Sequence, residues 1–400
     1  MSEPTSVATA ADPLSTPAVR TRMPDVGTTI FTVMSALAQQ CGAVNLGQGF
    51  PDFDCDPRLL QAVTNAMQAG HNQYPPMAGV PALRAAIARK IGMQYGRRCD
   101  PDTEITVTAG ATQAIFTAIL ALVQPGDEVI VLEPCYDSYV PNIVLAGGRV
   151  VRVPLDPHTL RPDFDRIAAA LTPRTRALIV NTPHNPSGTI WHAADWQRLA
   201  DVLSGTEVVV ISDEVYEHMV FDGQWHHSAL AHPALAGRSV VVSSFGKTFH
   251  VTGWKVGYAV APAPLMAEFR KVHQFNVFTV NTPMQHGLAA YMGDPAPYQT
   301  LAAFYQAKRD RFRAGLACTR FRLLPCEGTY FQCVSYAELA VPERHLSEAA
   351  FCEWLTREVG VAAIPLSAFY GSPTEQQRIR FCFAKRDDTL QAALARLARL

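Results

Sequence analysis

Short, continuous apolar runs at residues 104–108, 128–132, 177–181, 207–212 and 239–243 alternate with segments of helical periodicity, and predict an α/β fold with a mostly parallel sheet covered by helices. The runs are apolar throughout and bounded by polar residues, the pattern of strands buried on both faces. The first is followed at once by apolar residues at helical spacing over 111–123, and Pro125, Gly126 and Asp127 stop that helix before the second run. From about residue 295 the pattern changes to long helical stretches, 297–316 and 347–358, with strands at 330–334 and 378–383, which predicts a smaller α+β domain. Neither an internal repeat nor a low-complexity linker is found, so the two parts are expected to share an interface, with the site in the crevice between them.

The chain of 400 residues is long enough for two domains, and 48% apolar against 17% charged residues supports extensive burial. A formal net charge of -1, without a Lys/Arg block interleaved with aromatics, argues against nucleic acid and for small-molecule chemistry. Nine cysteines without CxxC pairs or regular spacing point to reduced thiols and a cytoplasmic location. Residues 1–22, rich in Ser, Thr, Ala and Pro and including Glu3 and Asp12, read as a disordered tail rather than a targeting signal. No apolar run approaches the roughly 20 residues that span a bilayer, so no membrane association is expected. His226 and His227 are adjacent rather than at ligand spacing and read as surface histidines, so no metal is expected.

Ligands of open parallel sheets collect beyond the carboxyl ends of the strands, so the polar residues after each run are the candidates for chemistry. The third run leads into Asn181-Thr-Pro-His-Asn185-Pro-Ser-Gly188, the fourth into Ser212-Asp213-Glu-Val-Tyr216, and the fifth into Ser243-Ser244-Phe-Gly-Lys247. Singly, each is ordinary: a turn, a helix cap, a solvated loop. In this order an amide, a carboxylate, a phenol, hydroxyls and an amine can converge at the strand ends.

This combination resembles the fold-type I, class I aminotransferases over about residues 23–400. The matching blocks are 45–52, 107–113, 181–188, 212–216, 243–247, 252–257 and 378–381. Among subfamilies the chain looks most similar to the methionine aminotransferases, with kynurenine aminotransferases as near relatives. The resemblance implies a seven-stranded sheet in a large domain over 51–294, a segment 23–50 associated with a small domain of 295–400, pyridoxal 5′-phosphate as cofactor, and transfer of an amino group between an amino acid and a 2-oxo acid.

On that resemblance Lys247 is the Schiff-base lysine and moves the proton at the substrate's α-carbon, and Asp213 keeps the cofactor's ring nitrogen protonated. Asn185 and Tyr216 are implied partners of the phenolic oxygen, and Tyr136 is the implied stacking residue, although on the residues alone it reads equally as core packing. The phosphate is assigned to Ala111, Thr112 and Gln113 at the helix start after Gly110, with Ser244 and Lys255. An ordinary helix start capped by Thr108 or Thr112 is the competing reading. Arg380 is the implied carboxylate receptor, with Arg378 expected to face the other way, and Gly47 lets the backbone approach the substrate. Tyr74 and Phe278 match residues that reach across a dimer interface, which implies a homodimer with shared sites.

Thr29, Thr112 and Thr279 stand where the kynurenine enzymes carry aromatic or imidazole groups. That favours methionine and other large uncharged side chains, aromatic ones included, over the alternative of kynurenine transamination or cysteine-S-conjugate β-lysis on the same scaffold. A transcription regulator carrying such a domain would need a DNA-binding domain as well, and with only about 22 poorly structured residues ahead of the match that reading is the weaker expectation.

Overall fold

The computed structural model describes residues 20–400 apart from 25 and 373, so the tail expected over residues 1–22 falls almost entirely outside the described residues. The chain forms a helix, α1 (Ile30–Cys41), a short strand, β1 (Val44–Asn45), and two helices, α2 (Pro57–Gln68) and α3 (Pro81–Tyr95), before it enters the large sheet. Both α2 and α3 begin on a proline, whose fixed φ suits a first turn and whose missing N–H is not needed there.

Seven strands make the large sheet: β2 (Ile105–Thr108), β3 (Glu128–Glu133), β4 (Arg149–Pro154), β5 (Thr175–Asn181), β6 (Val209–Asp213), β7 (Ser239–Ser244) and β8 (Gly257–Val260). Their order is β2-β8-β7-β6-β5-β3-β4. Only β8 runs against its two neighbours, and the other pairs are parallel. Within each apolar run, alternate residues enter different cores: Ile130, Leu178 and Val210 pack on one face, Val129, Ile179 and Ile211 on the other. The period of two is hidden in sequence because both faces are covered.

The runs read from the sequence correspond to β2, β3, β5, β6 and β7. The two further strands have physical reasons for their weak signal. β4 lies at the sheet edge, carries Arg149 and Arg152, and is largely exposed or half-buried. β8 is four residues long and opens on a glycine.

A second, antiparallel sheet has the order β12-β13-β10-β9, from β9 (Arg322–Leu323), β10 (Phe331–Ser335), β12 (Ile364–Pro365) and β13 (Arg378–Cys382). β1 pairs in parallel with β11 (Val361–Ala362). On that pairing we propose that residues 23–50 belong with residues 295–400. The stretch 297–316 is two helices, Ala296–Gln299 and Leu301–Leu316, meeting at Thr300. The stretch 347–358 is a helix, Glu348–Trp354, capped by Ser347 and continued by a wider turn, Leu355–Val359. Among the described residues no helix is long and apolar enough to cross a membrane.

Candidate active site

β5, β6 and β7 are neighbours and end at the same edge, where Asn181 pairs with Asp213 in register. β7 closes on Ser244 and passes into a single helical turn, Phe245–Thr248, that carries Lys247. Helix α4 (Gly110–Leu122) starts beside them, and Arg380 reaches the same space from β13. Together they line a cavity of about 270 Å³.

Asp213 is buried and accepts hydrogen bonds from Tyr139 Oη at 2.6 Å and Val215 N–H at 3.3 Å. Burial pushes its pKa up to about 6, against the opposing effect of those two bonds. Lys247 opens partly into the cavity, and the protein around it, burial first, pushes its amine down to about 8. Its Nζ donates to Tyr330 Oη at 3.0 Å and to the Gly49 carbonyl at 3.4 Å. Tyr216 is buried, which raises its phenol well above the usual range.

Arg380 is 1% exposed; Nη1 donates to Asn185 Oδ1 at 2.7 Å and Nη2 to the Gly47 carbonyl at 3.1 Å. Its guanidinium lies 3.9 Å over the Phe331 ring and 5.0 and 5.4 Å from the rings of Phe369 and Phe31, while Nε has no partner. A planar, permanently charged donor is thereby fixed in one orientation with capacity to spare.

The start of α4 has no side-chain cap: Thr108 Oγ1 donates to the Gly110 carbonyl instead, so capping by Thr108 or Thr112 does not account for this segment. Gly110, Ala111, Thr112, Ser244, Thr252 and Lys255 surround that end of the cavity. Gly257 lets the chain close in, since a Cβ there would lie 2.6 Å from the Ser243 carbonyl oxygen and 3.1 Å from Ala111 N. Free first-turn amides, hydroxyls and a lysine suit a phosphate; a buried carboxylate suits a cationic ring nitrogen; an amine suits an aldehyde. The residues present therefore fit pyridoxal phosphate.

Of the residues singled out in the sequence, Ala111, Thr112, Tyr136, Asn185, Asp213, Tyr216, Ser244, Lys247, Lys255 and Arg380 meet at this cavity, with Gly47 behind Arg380. Others stand apart from it in a single chain. The Gln113 side chain turns back to accept from Ala109 N–H and to donate to Thr117 and Asn276. Thr29 caps α1, and Thr279 bonds the Pro76 carbonyl. Tyr74, 83% exposed, and Phe278, 42% exposed, stack edge-on against each other with centroids 5.4 Å apart.

Two expectations are corrected. Arg378 shares the face of Arg380, because residues two apart on a strand point the same way; what separates them is a step along β13, and Arg378 lies near Tyr370 and Glu348 instead of at the cavity. His226 is not a surface histidine, since its side chain is 2% exposed and its Nε2 lies 2.9 Å from Glu214 Oε2. Among the described residues no cluster of three His, Cys, Asp or Glu is placed to hold a metal. Phe31, Asp137 and Phe331 also line the cavity, and Tyr139, the first residue of the helix Tyr139–Leu145, fixes Asp213; none of these was singled out in the sequence.

Residues 42–397 match the family model described as aminotransferase class I and II. The methionine aminotransferase of Escherichia coli K12 is 54% identical over 382 residues, covering 95% of this chain and 98% of that protein. Kynurenine–oxoglutarate transaminase 1 of Rattus norvegicus is 33% identical, covering 94% and 96%. Among solved structures, an E. coli protein identified with a methionine aminotransferase function superposes with a TM-score of 0.94 at 53% identity, covering 96% of this chain and all of that one. The N-succinyldiaminopimelate aminotransferase of Mycobacterium tuberculosis does so with a TM-score of 0.91 at 43% identity, again over 96% and 100%. With the family model spanning most of its length and these relatives covered almost end to end, the chain belongs to the class I and II aminotransferases, enzymes of fold type I that use pyridoxal phosphate.

Proposed function

We propose that this aminotransferase moves the amino group of methionine and of other large uncharged L-amino acids, aromatic ones included, onto a 2-oxo acid, with Lys247 carrying the cofactor and Arg380 receiving the α-carboxylate. The observation that supports it most is one cavity that joins Lys247 and Asp213 to a clamped arginine, with no second arginine among the described residues that line it. The 54% identity to a methionine aminotransferase points the same way.

Pyridoxal phosphate, when bound, supplies a cationic ring that withdraws electrons from the substrate's α-carbon. The chain's own residues do the rest. Asp213 would hold the proton on the ring nitrogen, and a cation beside it relieves the cost of its buried charge. Asn185 and Tyr216 would bond the phenolic oxygen, and Tyr136 would flank the ring. The amides of Ala111, Thr112 and Gln113, with Ser244 and Lys255, would take the phosphate. A Lys247 amine that titrates near pH 8 is partly neutral at physiological pH, so it can accept the α-proton and hand it back. Arg380 offers the carboxylate a planar pair of donors, and Gly47 leaves the backbone room beside it.

Phe31, Phe50, Ile115, Val215 and Phe331 give the lining its apolar character, whereas Asp137 sets a carboxylate in it, which disfavours a substrate with a distal acid. Tyr74 and Phe278, exposed and stacked away from the cavity, support a homodimer in which each site is completed by the other copy; Thr29 and Thr279 would join the side-chain pocket in that assembly. The nine free cysteines support a reducing, cytoplasmic setting.

A panel of amino donors against several 2-oxo acids tests the reading. Methionine and phenylalanine should stand in the leading group by kcat/KM, separated by only about 1–3 kcal/mol because an apolar pocket discriminates weakly. Aspartate or kynurenine at the head of the panel would overturn it.

A further inference from the structure

We propose that Tyr330 is a positioning residue for the reacting amine: its hydroxyl holds Lys247 Nζ against the loop that carries Gly47 and Gly49. The inference rests on the reading of Lys247 as the cofactor's lysine.

Three atoms form a closed triangle. Lys247 Nζ donates to Tyr330 Oη at 3.0 Å and to the Gly49 carbonyl at 3.4 Å, and Tyr330 Oη donates to that same carbonyl at 2.6 Å. The phenol's one proton is committed to Gly49, so only its lone pairs face the amine, and Lys247 must be the donor. Tyr330 has no exposed surface. Its ring is wedged edge-on against Tyr216 and Phe331, with centroids 5.2 and 4.9 Å away, and tilted against Tyr305 at 5.7 Å, so the hydroxyl cannot swing aside.

The backbone points to the same purpose. Thr329, the residue before it, has φ 65°, a left-handed conformation that a β-branched residue rarely adopts. Its N–H donates to the Met219 carbonyl at 2.9 Å and its hydroxyl accepts from Phe331 N–H at 3.1 Å, which fixes the turn on both sides. Strain of this kind persists where the surroundings over-determine it, and it concentrates at functional sites. Here it sets the buried Tyr330 beside Lys247 just before β10 begins.

A lysine amine on four rotatable bonds has many resting places, and two oxygen acceptors hold it near one of them. Acceptors also favour the charged form, which opposes the effect of burial. The groups facing Nζ are Asp213 from β6, Arg380 and Cys382 from β13, Lys255 from the segment before β8, and the phenols Tyr216 and Tyr330. Without the Tyr330 oxygen, burial and the two cations dominate further, so Lys247 should lose its proton at lower pH.

Tyr330→Phe removes one oxygen and leaves the ring packing in place. Tyr305→Phe is the control, because it removes a neighbouring buried hydroxyl that has no hydrogen-bond partner. Borohydride trapping and peptide mapping of the wild-type protein come first, and a label on any residue other than Lys247 overturns the reading of the site and this inference with it. With the label on Lys247, two readouts decide: the pH dependence of the rate at which cofactor-stripped protein recaptures pyridoxal phosphate, and kcat against KM for methionine. In Tyr330→Phe the pH midpoint should fall by about one unit, and kcat roughly tenfold with KM within about threefold, as expected for one lost hydrogen bond to a charged group. Tyr305→Phe should leave both at wild-type values. An unchanged midpoint in Tyr330→Phe, or equal losses in the two variants, overturns the inference while the assignment of Lys247 stands.

Discussion

Asp213 destabilises the chain that carries it. In the folded protein it ionises near pH 6, against 3.8 for an ordinary aspartate, because burial outweighs the hydrogen bonds from Tyr139 and Val215. A raised pKa means that folding holds the proton more tightly, so the contribution of this group is full below pH 3.8 and is lost as pH rises through about 6. The shift corresponds to about 3 kcal/mol at neutral pH. Asp213→Asn should therefore make the cofactor-free protein more stable than wild type at pH 8, by up to that amount, and closer to it at pH 5, while transamination slows. Urea titrations of both proteins at the two pH values check this, and a variant no more stable than wild type at pH 8 would count against it. Such a residue, costly to the fold and suited to a cationic ligand, is expected at a functional site.

At the scale of elements, the strand ends stay in place because a second polar layer sits beneath them. Glu217, just past the turn that carries Asp213 and Tyr216, is buried and pairs with Lys90 of α3 at 2.5 Å. It also accepts from Tyr95 Oη and Ser243 Oγ at 2.6 Å and from Tyr258 Oη at 2.9 Å. One carboxylate thus ties together α3, the ends of β6 and β7, and β8. Burial alone would raise its pKa, but Lys90 and the other partners outweigh that and hold it ionised. Lys90→Met strands this charge in the interior, and a loss of about 3–5 kcal/mol is expected, seen as a lower melting temperature. Adding Glu217→Gln should recover part of the loss by removing the stranded charge; a double variant less stable than Lys90→Met would contradict the account. Glu214 repeats the device on a smaller scale with His226, Ser212 and the Ala229 amide.

At the scale of the whole molecule, the site in one chain lacks residues that the family resemblance assigns to it. Tyr74 and Phe278 cover each other on the surface, and neither touches the cavity. If two copies share their sites, mixing Lys247→Ala with a Tyr74→Ala variant under conditions that exchange subunits should generate hybrids with one intact site, and activity should rise above that of either parent. Sites complete within each chain would show no such gain, and sedimentation would then report monomers or a dimer joined elsewhere.

The sequence by itself determined the order of strands and helices around the site and the chemistry at the strand ends. Apolar runs, turn residues and the polar groups that follow them are local, so the strand-end positions of Asn185, Asp213, Tyr216, Ser244 and Lys247 could be read from their neighbours, while the roles proposed for them came from the family resemblance. Arg380 and Lys255 needed the longer family pattern as well. The tertiary structure decided what depends on residues distant in the chain: that Tyr139 fixes Asp213 across 74 positions, that Tyr330 meets Gly49 across 281, that three aromatic rings clamp Arg380, and that His226 is buried. It also decided strands that no continuous apolar run marks, as at the exposed edge strand β4, where arginines interrupt the valines, and the short β8. The physical reason is the same throughout: periodicity and turn chemistry act over a few residues, whereas side-chain pairing is settled by packing once distant segments have been brought together.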